Sequence, residues 1–325
     1  MHTLMKQTRR QFVRTLFVAT AQATAIGSIL PRNLFAADAR AGGLNFIVFG
    51  DWGRNGEPDQ RAVAAQMSIA AHDMDAKFII SVGDNFYENG VQSAEDPQWQ
   101  TSFEKVYAAP SLQVPWHAIL GNHDYHGNCD AQLAYAKTSP RWNMPARDFV
   151  QSLQVDATTT ADFFYLDTTP MIKSYYSIWN PEKTRDNVMT QDVPKQLAWF
   201  KAVLAASTAK WKIVIGHHPI YSGGGHGDTA ELVETILPLL QQYQVQAYFN
   251  GHDHDLQHLQ AGKVNLFCSG AGSQFRPTVN TPHTKFARAC SGFTAVALSA
   301  EKLDVRMIDD QGRLLYTTSV PRTTA

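Results

Sequence analysis

Five apolar runs in this chain end in a glycine followed at once by a side chain able to bind a metal. They are Leu44 to Gly50 before Asp51, Lys77 to Gly83 before Asp84, Pro115 to Gly121 before Asn122, Lys210 to Gly216 before His217, and Gln246 to Gly251 before His252. Short apolar runs bounded in this way read as buried strands. Glycine accepts positive φ without penalty, so a strand stopping there can turn sharply and present its next side chain at one edge of a sheet. Five such strands aim five ligands at one point. Tyr87, three residues after Asp84, and His254, two after His252, raise the set to seven oxygen and nitrogen donors. That is more than one transition metal takes and suits two. The pattern predicts a hydrolase built around a pair of metals.

Helical periodicity fills the gaps between these runs. It spans Asp59 to Ala76, Pro194 to Ala206 with Leu197, Phe200, Val203 and Leu204 on one face, and Thr229 to Tyr243 with Leu232, Ile236 and Leu239. Alternating strands and helices predict a layered α/β architecture. The last quarter changes character. Val264 to Ser269, Gly292 to Ser299, Lys302 to Ile308 and Arg313 to Thr318 are strand patterns separated by turns, predicting a second, largely antiparallel sheet at the end of the chain. No linker, charge block or repeat interrupts residues 38–325, which read as one domain.

The N-terminus stands apart. Thr8-Arg9-Arg10-Gln11-Phe12-Val13 precedes a weakly apolar run from Leu16 to Leu30 that contains Gln22 and is too short and polar for a membrane span. Leu34-Phe35-Ala36-Ala37 then offers small residues for cleavage. Residues 1–37 thus read as a twin-arginine export signal, with that machinery as a partner and a periplasmic or secreted mature protein. The segment carries Lys6, Arg9, Arg10, Arg14, Arg32 and no acids, so removing these five from 28 leaves 23 basic against 29 acidic residues, net −6. Such a protein is ill-suited to nucleic-acid backbones. A monomer is expected. Cys268 and Cys290 flank a glycine-rich loop, and two readings stay open: a disulfide in an oxidising compartment, or three buried thiols counting Cys129.

Chemistry divides the seven donors. Asp84 has two carboxylate oxygens and can bridge two cations. Asp51, Tyr87 and His254 would complete one site, and Asn122, His217 and His252 the other. Carboxylate and phenolate oxygens suit trivalent iron, whereas imidazoles with a neutral amide suit divalent iron, zinc or manganese. A phenol with an ordinary pKa of about 10 ligates only as phenolate, so Tyr87 calls for a strong Lewis acid such as Fe(III). In Gly251-His252-Asp253-His254 the two histidines point the same way on extended backbone, while Asp253 points back to hold the loop. His218 reads equally as a partner of a ligand or as a packed histidine.

The blocks Gly50-Asp51-Trp52-Gly53, Gly83-Asp84-Asn85-Phe86-Tyr87, Gly121-Asn122-His123-Asp124, Gly216-His217-His218-Pro219 and Gly251-His252-Asp253-His254 resemble, in order, those of the purple acid phosphatases in the metallophosphoesterase superfamily. Phe163 to Pro170 and Lys210 to Ser222 resemble the short, tartrate-resistant form. Broader relatives carry a metal-binding histidine where this chain has Gly53, and Tyr87 takes that histidine's place. The resemblance implies a four-layer sandwich of two mixed β-sheets flanked by helices, residues 38–325 forming the catalytic domain. It further implies hydrolysis of phosphomonoesters by attack of a metal-bound hydroxide at an Fe(III)-M(II) centre, M being Fe, Zn or Mn. His123 and His226 match the family's non-ligand histidines near the leaving group, and His226 lies in Gly223-Gly224-Gly225-His226-Gly227, a loop flexible enough to close over substrate. Two alternatives remain at this point: a phosphodiesterase or nucleotide hydrolase on the same scaffold, and an iron redox protein. Trp142, Tyr175, Trp179 and Arg276 are candidates for the substrate cleft or for packing.

Overall fold

The computed structural model describes residues 43–179 and 183–322. The export signal read at residues 1–37 lies outside the described residues. The strands in chain order are β1 (Leu44–Phe49), β2 (Phe78–Ser81), β3 (Trp116–Ala118), β4 (Trp142–Asn143), β5 (Phe149–Gln154), β6 (Thr160–Tyr165) and β7 (Trp211–Ile215). They continue with β8 (Ala247–Asn250), β9 (Leu256–Ala261), β10 (Val264–Ser269), β11 (Thr284–Arg288), β12 (Gly292–Leu298), β13 (Lys302–Asp309) and β14 (Leu314–Pro321). The α-helices are α1 (Gln60–Asp73), α2 (Cys129–Tyr135), α3 (Thr184–Val188), α4 (Val193–Ala206), α5 (Ala230–Thr235) and α6 (Leu237–Gln242).

Two seven-stranded sheets form, in the orders β14-β13-β12-β1-β2-β3-β4 and β11-β9-β10-β8-β7-β6-β5. Both are mixed: β1, β2, β3 and β4 run parallel, as do β6, β7, β8 and β10, with antiparallel strands outside them. The period-2 alternation of β1 decides the layers. Phe46 and Val48 face the other sheet, meeting Phe163, Ile213 and Phe249 in a central core. Ile47 and Phe49 face outward onto α1 through Val63 and Met67. The second sheet repeats this, with Phe164, Val214 and Tyr248 turned to Phe200, Leu232 and Leu240 on the helices. Helix, sheet, sheet and helix layers result, as expected for the four-layer sandwich.

The expectation of a separate antiparallel sheet at the end of the chain is corrected. β12, β13 and β14 extend the first sheet, with β12 pairing antiparallel to β1 from Leu44↔Leu298 to Val48↔Thr294. β10 instead joins the second sheet beside β8 and β9. Hydrophobic β1 needs a partner on each side, and the C-terminal hairpins supply the one that β2 does not. The helix read over Thr229 to Tyr243 is two helices, α5 and α6, because Pro238 has no N–H and falls in the first turn of α6. Trp142 is 1% exposed and packs among Trp52, Trp99 and Phe103, so it belongs to the outer core and not to a cleft. All three cysteines are free thiols, Cys129 and Cys268 buried and Cys290 partly so. Among the described residues no helix is long and apolar enough to cross a membrane.

Candidate metal centre

The C-terminal ends of β1, β2, β3, β7 and β8 meet where the two sheets adjoin, and the residue after each closing glycine turns into that junction. Only Gly83 of the five glycines has positive φ, at 93°. The left-handed conformation belongs instead to Asp51 (φ 60°), Asp84 (φ 50°) and His252 (φ 71°). Non-glycine residues there cost of order 1 kcal/mol or more each, and the surrounding structure has to impose them. The glycines serve close approach. A Cβ on Gly121 would lie 2.2 Å from Asp84 Oδ1, one on Gly251 2.3 Å from Asp51 Oδ2, and one on Gly216 2.2 Å from Tyr248 Oη. The sequence pattern is therefore real but its cause differs from the turning argument: bare backbone lets neighbouring ligand side chains come together.

All seven candidate ligands gather. Tyr87 Oη lies 3.0 Å from Asp51 Oδ1, 2.9 Å from Asp84 Oδ2 and 3.0 Å from His254 Nε2. His217 Nε2 lies 3.1 Å from Asn122 Oδ1 and 3.4 Å from Asp84 Oδ1. His252 stacks beside them, its ring centroid 5.1 Å from that of His217. Asp84 thus offers one oxygen to each group. His217 Nδ1 donates to the Val82 carbonyl at 2.9 Å, which turns Nε2 inward as the ligand atom. Asp51, Asp84 and His217 form one grouping whose ligand atoms lie within 4.8 Å of one another, and His217, His218 and His252 form a second.

The protonation states follow from burial and from the charges these groups share. Burial raises Asp84, but the positive charge of His217, then of His123, outweighs it and holds the carboxyl well below its ordinary value. For His217 burial lowers the pKa, and the Asp84 charge overrides this to reach about 9. Burial, then the charges of Asp51 and Asp84, pushes the Tyr87 phenol far up. Burial, then the neighbouring His218 and His217, holds His252 well down, leaving one ring-nitrogen lone pair available. Buried carboxylates facing an imidazolium and an un-ionised phenol make a set in which a cation can replace each shared proton. The donors fit two cations: Asp51, Asp84, Tyr87 and His254 in one pocket, Asp84, Asn122, His217 and His252 in the other.

The two non-ligand histidines are positioned differently. Half-buried His123 uses Nδ1 on the Glu88 carbonyl at 2.8 Å and its N–H on Asp84 Oδ1 at 2.8 Å. Exposed His226 has its ring 4.0 Å from that of His252, with both its N–H and its Nδ1 on Asp253 Oδ1. His218 is buried and packs its ring 4.4 Å from that of His252, while Nδ1 meets Thr168 Oγ1 at 2.9 Å and Nε2 meets Tyr175 Oη at 3.0 Å. Of the remaining cleft candidates, Trp179 is 86% exposed, and Arg276 donates its backbone N–H to the His254 carbonyl.

Two organising residues escaped the sequence reading. Thr168 Oγ1 accepts from the N–H groups of both His217 and His218, fixing that block against the end of β6. Asp124 accepts from the N–H groups of Asn85, Phe86 and Gly121 and from Gln132, tying the second block to the third. Burial, helped by the Asp84 charge, lifts its carboxyl to about 7. Asp124 was visible as the acid closing Gly-Asn-His-Asp, whereas nothing local marks Thr168.

A calcineurin-like phosphoesterase family model matches residues 44–256. Purple acid phosphatase 17 of Arabidopsis thaliana is 39% identical over 292 residues, covering 85% of this chain and 83% of that protein. Tartrate-resistant acid phosphatase type 5 of Sus scrofa is 36% identical over 301 residues, covering 86% and 87%. A solved structure described as GAP50, the anchor in the inner membrane complex of Plasmodium, is similar with a TM-score of 0.75 at 26% identity, over 87% of this chain and 90% of that one.

Proposed function

The chain belongs to the purple acid phosphatases of the calcineurin-like phosphoesterase family, and we propose that it hydrolyses phosphomonoesters at an Fe(III)-M(II) pair. The observation that carries the metal assignment is Tyr87 Oη between Asp51, Asp84 and His254. With Gly53 where other phosphoesterases have a ligating histidine, that pocket is richer in anionic oxygen and would suit Fe(III). Asp84, Asn122, His217 and His252 would hold divalent iron, zinc or manganese.

When bound, the two cations supply Lewis acidity toward the phosphate and a water of lowered pKa. The protein's own groups do the rest. Asp84 fixes the spacing of the two pockets. His217, steered by Val82, and His252 present imidazole lone pairs. His123 and His226, held by a carbonyl and a carboxylate on their Nδ1 side, present their Nε2 atoms as acids for the departing alcohol. The substrates are small phosphorylated molecules, the protein acts as a monomer, and residues 1–37 direct it through the twin-arginine route to the periplasm or beyond.

Visible spectroscopy tests the iron assignment. The oxidised protein is expected to show a phenolate-to-iron band that disappears in Tyr87→Phe. A colourless wild type that is fully active with zinc alone would overturn the ferric site while leaving the hydrolase.

A further inference from the structure

The glycine-rich segment 223–227 is tied down. Asp253 Oδ1 accepts from His226 N–H at 3.0 Å and from His226 Nδ1 at 2.9 Å. Asp253 Oδ2 accepts from Ser222 Oγ at 2.5 Å, and Ser222 Oγ accepts in turn from Gly224 N–H at 2.9 Å and from Gln257 Nε2 at 3.0 Å. Gln257 Oε1 takes the Gly223 N–H at 2.8 Å, and Val279 N–H reaches the Gly223 carbonyl at 2.9 Å. A Cβ on Gly224 would fall 2.2 Å from Asp253 Cγ, so the backbone rests directly on the carboxylate. Asp253 itself is buried. The expectation of a loop free to close over substrate is thereby replaced by one clamped at the base of His226.

We propose that Asp253 is the positioning residue for His226, holding Nδ1–H and the direction of the ring so that Nε2, protonated in the imidazolium, gives its proton to the leaving group. This rests on the reading of His226 as that acid. A carboxylate only accepts, so Nδ1 carries the proton facing Asp253, and Nε2 is the outward atom at the far side of the ring. The ring sits 4.0 Å from that of His252, a candidate ligand of the divalent pocket. As the P–O bond breaks, its electron pair goes to the ester oxygen, which takes the Nε2 proton of the His226 imidazolium and departs as a neutral alcohol, leaving the Nδ1–H imidazole on Asp253. The oxygen of one water replaces it on phosphorus, and the proton released by that water restores His226 over the cycle.

The consequence is selective. An alkyl leaving group needs a proton, whereas a nitrophenolate leaves without one. The test compares glycerol phosphate with p-nitrophenyl phosphate as substrates for the metal-loaded wild type, Asp253→Asn and His226→Ala, with metal content and imidazole ¹⁵N shifts measured alongside. The expected result is that Asp253→Asn lowers kcat for the alkyl ester about tenfold more than for the aryl ester, with KM and metal content unchanged and the Nδ1–H tautomer of His226 lost. His226→Ala should show the same bias. If His226→Ala is biased but Asp253→Asn lowers both substrates equally, the positioning role is overturned and the acid assignment stands. If His226→Ala shows no bias, the acid assignment falls and takes this inference with it. Should Asp253→Asn not fold, the wild-type imidazole ¹⁵N shifts decide, and a His226 whose Nδ1 carries no proton would equally overturn the proposal.

Discussion

At the scale of single residues, space does as much as donor chemistry. Gly121 has Asp84 Oδ1 at 2.2 Å and Asp84 N at 2.3 Å from where a Cβ would stand, and His217 Cε1 at 2.8 Å. The Asp84 nitrogen is backbone and cannot swing aside as a side-chain tip can. Gly121→Ala is therefore expected to displace Asp84 from between the two pockets, lowering metal affinity by at least about tenfold, the scale at which disturbing a ligand's support is felt. A metal titration followed by calorimetry checks it, with far-UV circular dichroism unchanged. Near-normal affinity would show that the carboxylate tolerates a shift. Tyr87 illustrates the complementary point. Burial and two neighbouring carboxylates keep it a phenol until a strong Lewis acid takes the proton's place.

At the scale of elements, the junction after β6 couples a fold feature to pH. Asp167 receives the Tyr125 hydroxyl at 2.6 Å, and its backbone N–H donates to Asp148 Oδ1 at 2.8 Å. Burial, then the Asp148 charge, raises the Asp167 carboxyl to about 7. The folded protein thus keeps a proton that the unfolded chain releases near pH 4. Its contribution to stability is fully present below that pH and is lost as pH rises through about 7, by up to about 4 kcal/mol for three pKa units. Denaturant unfolding at pH 4 and pH 7.5 should show a steeper loss in wild type than in Asp167→Asn. Equal slopes would remove the buried carboxyl from the account.

The same scale shows what was legible in the sequence. α4 begins one residue from its expected start, and β10 matches its expected range, because amphipathic period and apolar runs are local signals. The pairing of β1 with β12 was not legible, since their periodicities fit many partners and the choice is made by packing between distant segments. The site shows the same divide. Seven candidate ligands stood out because they follow glycines at strand ends or sit two or three residues beyond. Thr168, Gln132 and the clamp of Ser222 and Gln257 beneath Asp253 did not, because their roles exist only once loops from different strands meet.

For the whole molecule, the centre is where the two sheets are joined by chemistry as well as by the central core. Asp51, Asp84, Tyr87 and Asn122 come from the first sheet, and His217, His252 and His254 from the second. Each pocket draws on both, so a pair of cations would fasten the layers across their shared edge, and binding to the folded state alone adds stability by mass action. Two pockets sharing Asp84 are the central claim, and elemental analysis of the purified mature protein tests it most directly. The predicted result is two metal ions per chain, one of them iron and the other iron, zinc or manganese. A ratio of one or none in active protein would contradict it.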